Sequence, residues 1–490
     1  MRKKRRKLSS SNLSVARATA IDILPDDALL QIFDFCRVDD YRPFRPAMDW
    51  LEMIHVCRRW RLIIFSSPRR LNLSLRCKPG TPVRRNLGIW PAFPITIDYF
   101  NSDRLHIRHI SSDDDDNIIA ALEHPDRVRC LKLPVTSLLL GKVATVAQEP
   151  FPTLTELWLS SEGGSVVPVL PSAFLGESTP RLLKICLEGI AFLTSPTFLS
   201  SASFLVDLSL HRIPHTGYIS PEAMVTSSAG FTRLNSLSIG FESSTSRPDH
   251  SVSIRRRAAP RVVLPALTFL EFRGASEYLE DLVSRIDTPR LAVIRISYFN
   301  QLVFQVPQLF MFISRTQIIK QSMEAEVELS LRCISFHLCG PAKRRDLHLE
   351  ISCRGLDWQV SYLAEVLSRS SALLSNVHHL YIFERDWPPR WQGEMDDIEW
   401  LAVFRQFTAV ETLRVSDQQT GHVAHALNNV TAEMVPEILP ALRLLYLQYE
   451  PAGRIEKFIT ARQFAGLPPI AIANTYDKYY SMRRPPPPYR

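Results

Sequence analysis

The sequence predicts an α/β protein: an all-helical module near the N-terminal end, then an irregular α/β solenoid with a curved parallel sheet and outer helices. Two observations carry this. Between Ile23 and Arg70 the apolar residues recur only at helical spacing, and from Val128 to Leu447 the pattern apolar-x-x-apolar-x-apolar returns eleven times.

The helical module comes first. Leu24-Pro25-Asp26-Asp27 has the form of a helix start, because proline at the first helical position gives up only an amide that had no partner and carboxylates in the first turn favour the positive dipole end. Ala28, Leu29, Ile32, Phe33 and Phe35 follow at three- and four-residue spacing and make one apolar face. A second set stands at Trp50, Leu51, Ile54 and Val56. A third stands at Cys57, Trp60, Leu62, Ile63 and Phe65, with Arg58, Arg59 and Arg61 between. Three helices this short hold little core, so the module is expected to finish it against a partner. In the link DDYRPFRPAMDW, Pro43 and Pro46 bar a regular helix.

LPDDALLQIFDFC with HVCRRWRLI resembles an F-box, the helical module by which substrate receptors bind the Skp adaptor of SCF-type (cullin-RING) ubiquitin ligases. The most specific parts are Leu-Pro at the first helix, Ile-Phe two turns on and Val-Cys-Arg-Arg-Trp in the last helix; the lengthened middle departs from the pattern. The resemblance implies that Leu24, Pro25, Leu29, Ile32, Phe33, Cys57 and Trp60 contact the adaptor. The other reading makes the same residues the internal core of a partnerless bundle.

The chain is divided into a basic tail (1–20), the F-box-like module (21–75), a connector (76–118), the solenoid (119–460, with an exposed loop at 243–261) and a C-terminal tail (461–490) with a Pro-rich end. The acidic run Asp113 to Asp116 is expected to start the helix DNIIAALEH rather than to bind a metal. The repeats begin at Val128, Leu154, Leu182, Leu205, Leu234, Leu267, Leu291, Leu331, Val377, Val410 and Leu442. Subtraction gives spacings of 26, 28, 23, 29, 33, 24, 40, 46, 33 and 32.

In each copy the last two apolar residues lie on one face of a short strand and the first closes the turn into it. One copy cannot bury that face, whereas stacked copies share a continuous core. Stretches such as EYLEDLVSRI and IEWLAVFRQF supply the outer helices. PxLxxLxL at irregular spacing resembles the leucine-rich-repeat solenoid downstream of F-boxes, most of all in divergent fungal (basidiomycete-type) F-box proteins. The family's Asn after each strand is missing here, so the turns are expected to be satisfied differently from coil to coil. A compact α/β domain with a parallel sheet is the competing fold. Residues 300–360 fit the repeat poorly, although VELSLRCISF and RDLHLEIS read as strands. Trp158, His211 and Tyr446 are expected on the concave face, where a target would bind.

Catalysis and cofactors find no support. There is no Gly-rich phosphate loop, GxSxG, HExxH or paired CxxC, and with 17 glycines no cofactor is expected. His106 with His109, and Cys333 with His337 and Cys339, are read as core or surface residues rather than metal ligands. The eight scattered cysteines fit reduced core residues of a cytoplasmic or nuclear protein. No apolar run is long enough to span a membrane, and the basic start lacks the apolar segment of a signal peptide.

Net charge is +8, of which Arg2 to Lys7 supply six. That run reads as a nuclear-import signal, a nucleic-acid contact or a solvated tail, and nothing elsewhere supports nucleic-acid binding. The PPPY near the C-terminal end has the form of a WW-domain ligand, and a bare Pro-rich tail is the commoner reading of such a run. The combination implies a non-catalytic substrate receptor that reaches cullin through a Skp-type adaptor and holds an unidentified protein substrate. The alternative is a non-catalytic interaction scaffold without a ligase role.

Overall fold

A computed structural model describes residues 21–473 apart from 22, 37–49, 69, 101–109, 162, 164–165, 193–196, 244–260, 302, 305, 317–320, 341–344, 354–357, 369, 386–396 and 448–454. The basic tail, the 243–261 loop apart from its end residues, the Pro43–Pro46 link, the pair His106 and His109, and PPPY lie outside the described residues. The chain forms two compact units, one of Met1–Leu75 with Trp90–Pro94 and one of Arg76–Ile89 with Ile95–Arg490.

The first unit holds α1 (Asp26–Cys36), α2 (Trp50–Ile54) and α3 (Arg58–Ser66). The Pro25 carbonyl accepts the Leu29 N–H at 3.1 Å, so proline stands just before the helix and Asp26 and Asp27 fill the first turn. Cys57 caps α3, its Sγ accepting the Trp60 N–H at 3.4 Å. Leu29, Phe33, Ile54 and Ile64 are fully buried. Each contributes about 1.5–3 kcal/mol by leaving water. The core is completed from within the unit. Leu71, Leu73 and Phe93 join it, and Phe65 packs on Trp90 at 5.9 Å and on Phe93 at 5.8 Å. The segment Trp90–Pro94, read from sequence as connector, therefore belongs to the helical core.

The rest of that connector opens the second unit as β1 (Leu75–Cys77), α4 (Val83–Ile89), β2 (Ile95–Asp98) and α5 (Ser112–Leu122). Ser111 and Asp114 form a capping box at α5, and Asp114 also accepts the Gly80 N–H at 2.9 Å. The acidic run thus starts a helix as expected.

The array continues with β3 (Val128–Val135), α6 (Ser137–Val146), β4 (Glu156–Ser161), β5 (Val169–Leu170), β6 (Lys184–Glu188), β7 (Ala191–Phe192), α7 (Thr197–Ser201) and β8 (Asp207–Ile213). Next come α8 (Pro221–Ser228), β9 (Ser236–Phe241), β10 (Val262–Val263), β11 (Phe269–Gly274), α9 (Ser276–Arg285), β12 (Ile286–Asp287), β13 (Val293–Tyr298) and α10 (Pro307–Ile313). Then follow β14 (Glu324–Leu329), β15 (Cys333–Cys339), β16 (Arg345–Ser352), α11 (Gln359–Leu367), α12 (Ser371–Leu374), β17 (His379–Glu384) and α13 (Asp397–Phe404). The last elements are β18 (Thr412–Val415), α14 (Asp417–Asn428), β19 (Leu444–Leu447), α15 (Glu456–Phe464) and β20 (Ala471–Ala473). The sheet therefore runs past residue 460.

Among the described residues sixteen strands make one sheet in the order β1-β2-β3-β4-β6-β8-β9-β11-β13-β16-β15-β14-β17-β18-β19-β20. From β2 to β13, and again from β17 to β20, neighbours are parallel. Register puts the repeat leucines in columns: Leu131, Leu157, Ile185, Leu208, Leu237, Leu270 and Ile294 stand side by side, as do Leu133, Leu159, Leu187, Leu210, Ile239, Phe272 and Ile296. All are buried. Successive outer helices touch one another, as α8 touches α9 and α9 touches α10. This is a mixed α/β array with a large parallel sheet and a leucine-lined core.

The turns leading into the strands, as distinct from the turns after them where the Asn is missing, share one backbone bond. The first apolar residue of a copy donates its N–H three residues back in Leu154→Phe151, Leu182→Thr179, Leu205→Ala202, Leu234→Phe231, Leu267→Leu264, Leu291→Thr288, Val377→Leu374 and Leu442→Leu439. The accepting residue is itself buried each time. A fourth repeated position, three before the first, thus closes the coil by backbone alone.

The copy at Leu331 is a correction. Here β14, β15 and β16 form an antiparallel meander set into the parallel sheet, β16 pairing β13 and β14 pairing β17. Ile334 and Phe336 are buried, but on a reversed strand, and Leu331 sits in the β14–β15 turn, 52% exposed. The triplet has the right spacing without the right direction. Among the described residues, no helix is long and apolar enough to cross a membrane.

Candidate protein-interaction surfaces

In the helical unit the seven residues implied as adaptor contacts divide. Leu29 and Phe33 point into the unit's own core, because positions 29 and 33 share the stripe that α2 and α3 cover. Trp60 lies half-buried with its ring edge-on to Phe33, 4.8 Å between centroids, and Leu24 is half-buried against the same cluster. Cys57 is occupied as a helix cap. Pro25 is exposed and Ile32 lies at the margin, 36% exposed. Phe35 is 91% exposed and Ile23 75%. By spacing alone Phe35 counts among the apolar residues of α1. Its offset from the Leu29–Phe33 stripe is the signal that it faces outward.

The second surface is the open face of the sheet. Alternate residues of β3 to β13 point away from the helices, and β4 shows it: Leu157 and Leu159 are buried while Trp158 is 40% exposed. An open depression of about 770 Å³ lies on this face, lined by Trp158, Cys186, Ser209, His211, Glu271 and Arg273 among others. Small side chains at Cys186 and Ser209, paired on neighbouring strands, are part of its lining. Trp158 stands at one end, tilted against Phe100 at 5.1 Å. Trp158 and His211 line the depression together. Tyr446 shares the face farther along, beside Arg414, whose guanidinium carbon is 4.5 Å from the tyrosine ring.

The charges of the depression are largely paired. Lys132 meets Glu156 at 2.9 Å, Arg212 meets Glu188 at 2.9 Å, and the Ser238 hydroxyl donates to Glu271 at 3.0 Å. Burial pushes the thiols of Cys130 and Cys186 up to about 12, which leaves both protonated and poor nucleophiles at neutral pH.

The inserted meander carries a closed polar cluster. His337 and His348 stack with Nδ1 atoms 2.9 Å apart, and His337 Nε2 lies 3.5 Å from Glu328. Arg345 pairs with Glu326 at 3.0 Å and Arg385 with Glu328 at 3.4 Å. Burial lowers His337, and burial with the positive neighbours His337, Arg345 and Arg295 pushes His348 down to about 3. Burial alone would raise Glu328, but the His337 ring and the two arginines outweigh it and hold the carboxyl below its ordinary value. His337 is thereby engaged by His348 and Glu328 rather than by Cys333 and Cys339. Among the described residues no group of three His, Cys, Asp or Glu side chains is arranged to hold a metal ion.

No protein-family model matches the chain, and no curated protein matches it. Among solved structures, an internalin from Listeria monocytogenes is similar over 74% of this chain and 83% of that one, at 14% identity and a TM-score of 0.26. A TM-score of that size carries no argument, and the fold rests on the strand register described above.

Proposed function

We propose that the chain is a non-catalytic substrate receptor of an SCF-type ubiquitin ligase, in which the helical unit docks a Skp-type adaptor, and through it cullin, while the open sheet face holds the protein to be ubiquitinated. The observation that carries this is the outward apolar set Ile23, Ile32 and Phe35 beside a core already closed. A finished core has no need of an exposed phenylalanine, and such residues mark a docking surface. The sequence resemblance to the F-box supplies the partner. The receptor acts by proximity, raising the local concentration of a substrate lysine near the charged conjugating enzyme. Its place of action is the cytoplasm or the nucleus, and a WW-domain protein is a further partner for PPPY.

The test is co-expression of the full chain with a Skp-type adaptor. Ile32→Asp and Phe35→Asp should abolish co-purification with the melting temperature unchanged, and cullin should appear in the wild-type pull-down. Wild-type levels of adaptor on the double variant would overturn the reading. Adaptor without cullin would replace it with the scaffold.

A further inference from the structure

We propose that the open sheet face carries an anion subsite over Gly240, built to take a carboxylate or phosphate side chain of the docked protein; the occupant, though not the site, rests on the docking role proposed for this face. The strand register makes the site. Pairing of β8 with β9 passes from Leu210–Ile239 directly to Ile213–Phe241, so His211 and Arg212 together oppose Gly240 in a bulge. A bulge breaks the ladder and re-aims the side chains it carries. On the other side of Gly240 stands Arg273, its direct partner on β11.

Gly240 has no side chain to fill the gap. A Cβ there would lie 3.8 Å from His211 Nδ1 and 3.5 Å from Arg273 Cβ, so imidazole and arginine flank a bare stretch of strand. All of these residues line the depression. The neighbouring charges are engaged elsewhere. Arg212, held at φ 49°, turns its guanidinium to Glu188 at 2.9 Å and to the Ser161 carbonyl at 2.9 Å. Glu271, two residues before Arg273 and so about 7 Å along the strand, accepts from Ser238. Among the described residues His211 and Arg273 have no ion pair, and the Arg273 guanidinium carbon lies 5.9 Å from the centre of the Phe299 ring. The notch is thus bordered by the His211 ring and by the Cβ of Arg273, whose fork rests by Phe299 and would swing back over Gly240 on binding; together they match the planar, multiply accepting head of a carboxylate or phosphate.

The experiment uses the full chain with its histidine rings isotope-labelled, titrated with inorganic phosphate and separately with acetate. The His211 resonance should shift saturably with phosphate, with acetate or with both, and Arg273→Gln should weaken that binding about tenfold or more. Phosphate alone assigns a phosphorylated side chain, and acetate as well assigns Asp or Glu. A built-in anion gives the second readout: Gly240→Asp, whose Cβ meets only ordinary contacts, should melt above its neutral isostere Gly240→Asn.

Neither anion shifting His211, with Gly240→Asp melting at or below Gly240→Asn, overturns the subsite. If Trp158→Ala abolishes target capture while the anions fail to bind, the docking role survives and the subsite alone falls. If the anions bind but neither Trp158→Ala nor Gly240→Asp alters capture, the docking role falls and the proposed occupant with it.

Discussion

The Arg59 guanidinium of α3 clasps Asp26 at the start of α1: Nη2 lies 2.7 Å and Nε 3.1 Å from the same carboxylate oxygen, and Nη2 also meets the Leu24 carbonyl at 2.5 Å. Asp26 thus does two things, favouring the helix dipole and fixing the last helix against the first. The side chains are 38% and 65% exposed, so the ion pair itself is screened. Arg59→Ala is expected to cost about 1 kcal/mol, mostly through the carbonyl contact, and an Arg59–Asp26 double-mutant cycle should return about 0.5 kcal/mol. Denaturant melts check both. Faster amide exchange confined to the first turn of α1 would locate the loss, and a coupling energy of zero would remove the clasp.

Arg462 of α15 is 1% exposed. Its Nη1 donates to the Leu439 carbonyl at 2.9 Å, and its Nη2 to Leu442 at 3.0 Å and Pro440 at 3.1 Å. These are carbonyls of the turn into β19, where Leu439 itself stands at φ 47°. The fork satisfies several carbonyls of this one turn at once. Arg462→Met leaves several buried carbonyls unpaired and should cost about 3 kcal/mol. Arg462→Lys should rescue little, because a point charge cannot span three acceptors. Limited proteolysis should cut the variants first after residue 430; cleavage elsewhere at the wild-type rate would contradict this.

The stacked histidines make stability depend on acid. In the unfolded chain His348 titrates near the ordinary histidine value of 6.5, and folded it is held down to about 3 by burial. Below pH 6.5 the unfolded state therefore binds more protons, and stability falls as pH falls through that window. At pH 5 the loss from this one group is about 2 kcal/mol. His348→Gln should melt with a shallower dependence between pH 7 and pH 5 than wild type. Equal slopes would show that His348 is not buried in the neutral form.

What the sequence disclosed follows from how local each signal is. The leucine columns were legible because a strand in a stacked coil repeats the same environment, so Leu157, Leu208 and Leu270 carry the same spacing. The part played by Trp90 and Phe93 was not, since Trp90 lies 24 residues beyond the end of α3 and 54 beyond the end of α1, and no periodicity marks a contact so far along the chain. The Gly240 notch was likewise hidden. His211 stood out as an outward residue, but the bulge that sets it opposite a glycine exists only in the pairing of two strands. The leading turns could have been found, because FPTL, TPRL, FTRL and LPAL repeat a buried residue three before each first leucine.

The false copy yields a direct comparison. Leu182 and Leu331 hold the same place in the same sequence pattern, yet Leu182 is fully buried between neighbouring coils and Leu331 is half in water at a hairpin turn. Truncation of a buried leucine loses its transfer energy and leaves a cavity, so Leu182→Ala should destabilise the chain by about 2–5 kcal/mol. An exposed leucine leaves no cavity, so Leu331→Ala should change stability by no more than about 0.5 kcal/mol. Urea midpoints of the two variants decide the matter. A loss at Leu331 as large as that at Leu182 would mean that the residue enters the core, which requires β15 to run parallel to its neighbours. The meander, and with it the His337–His348 stack that depends on antiparallel pairing, would then be wrong.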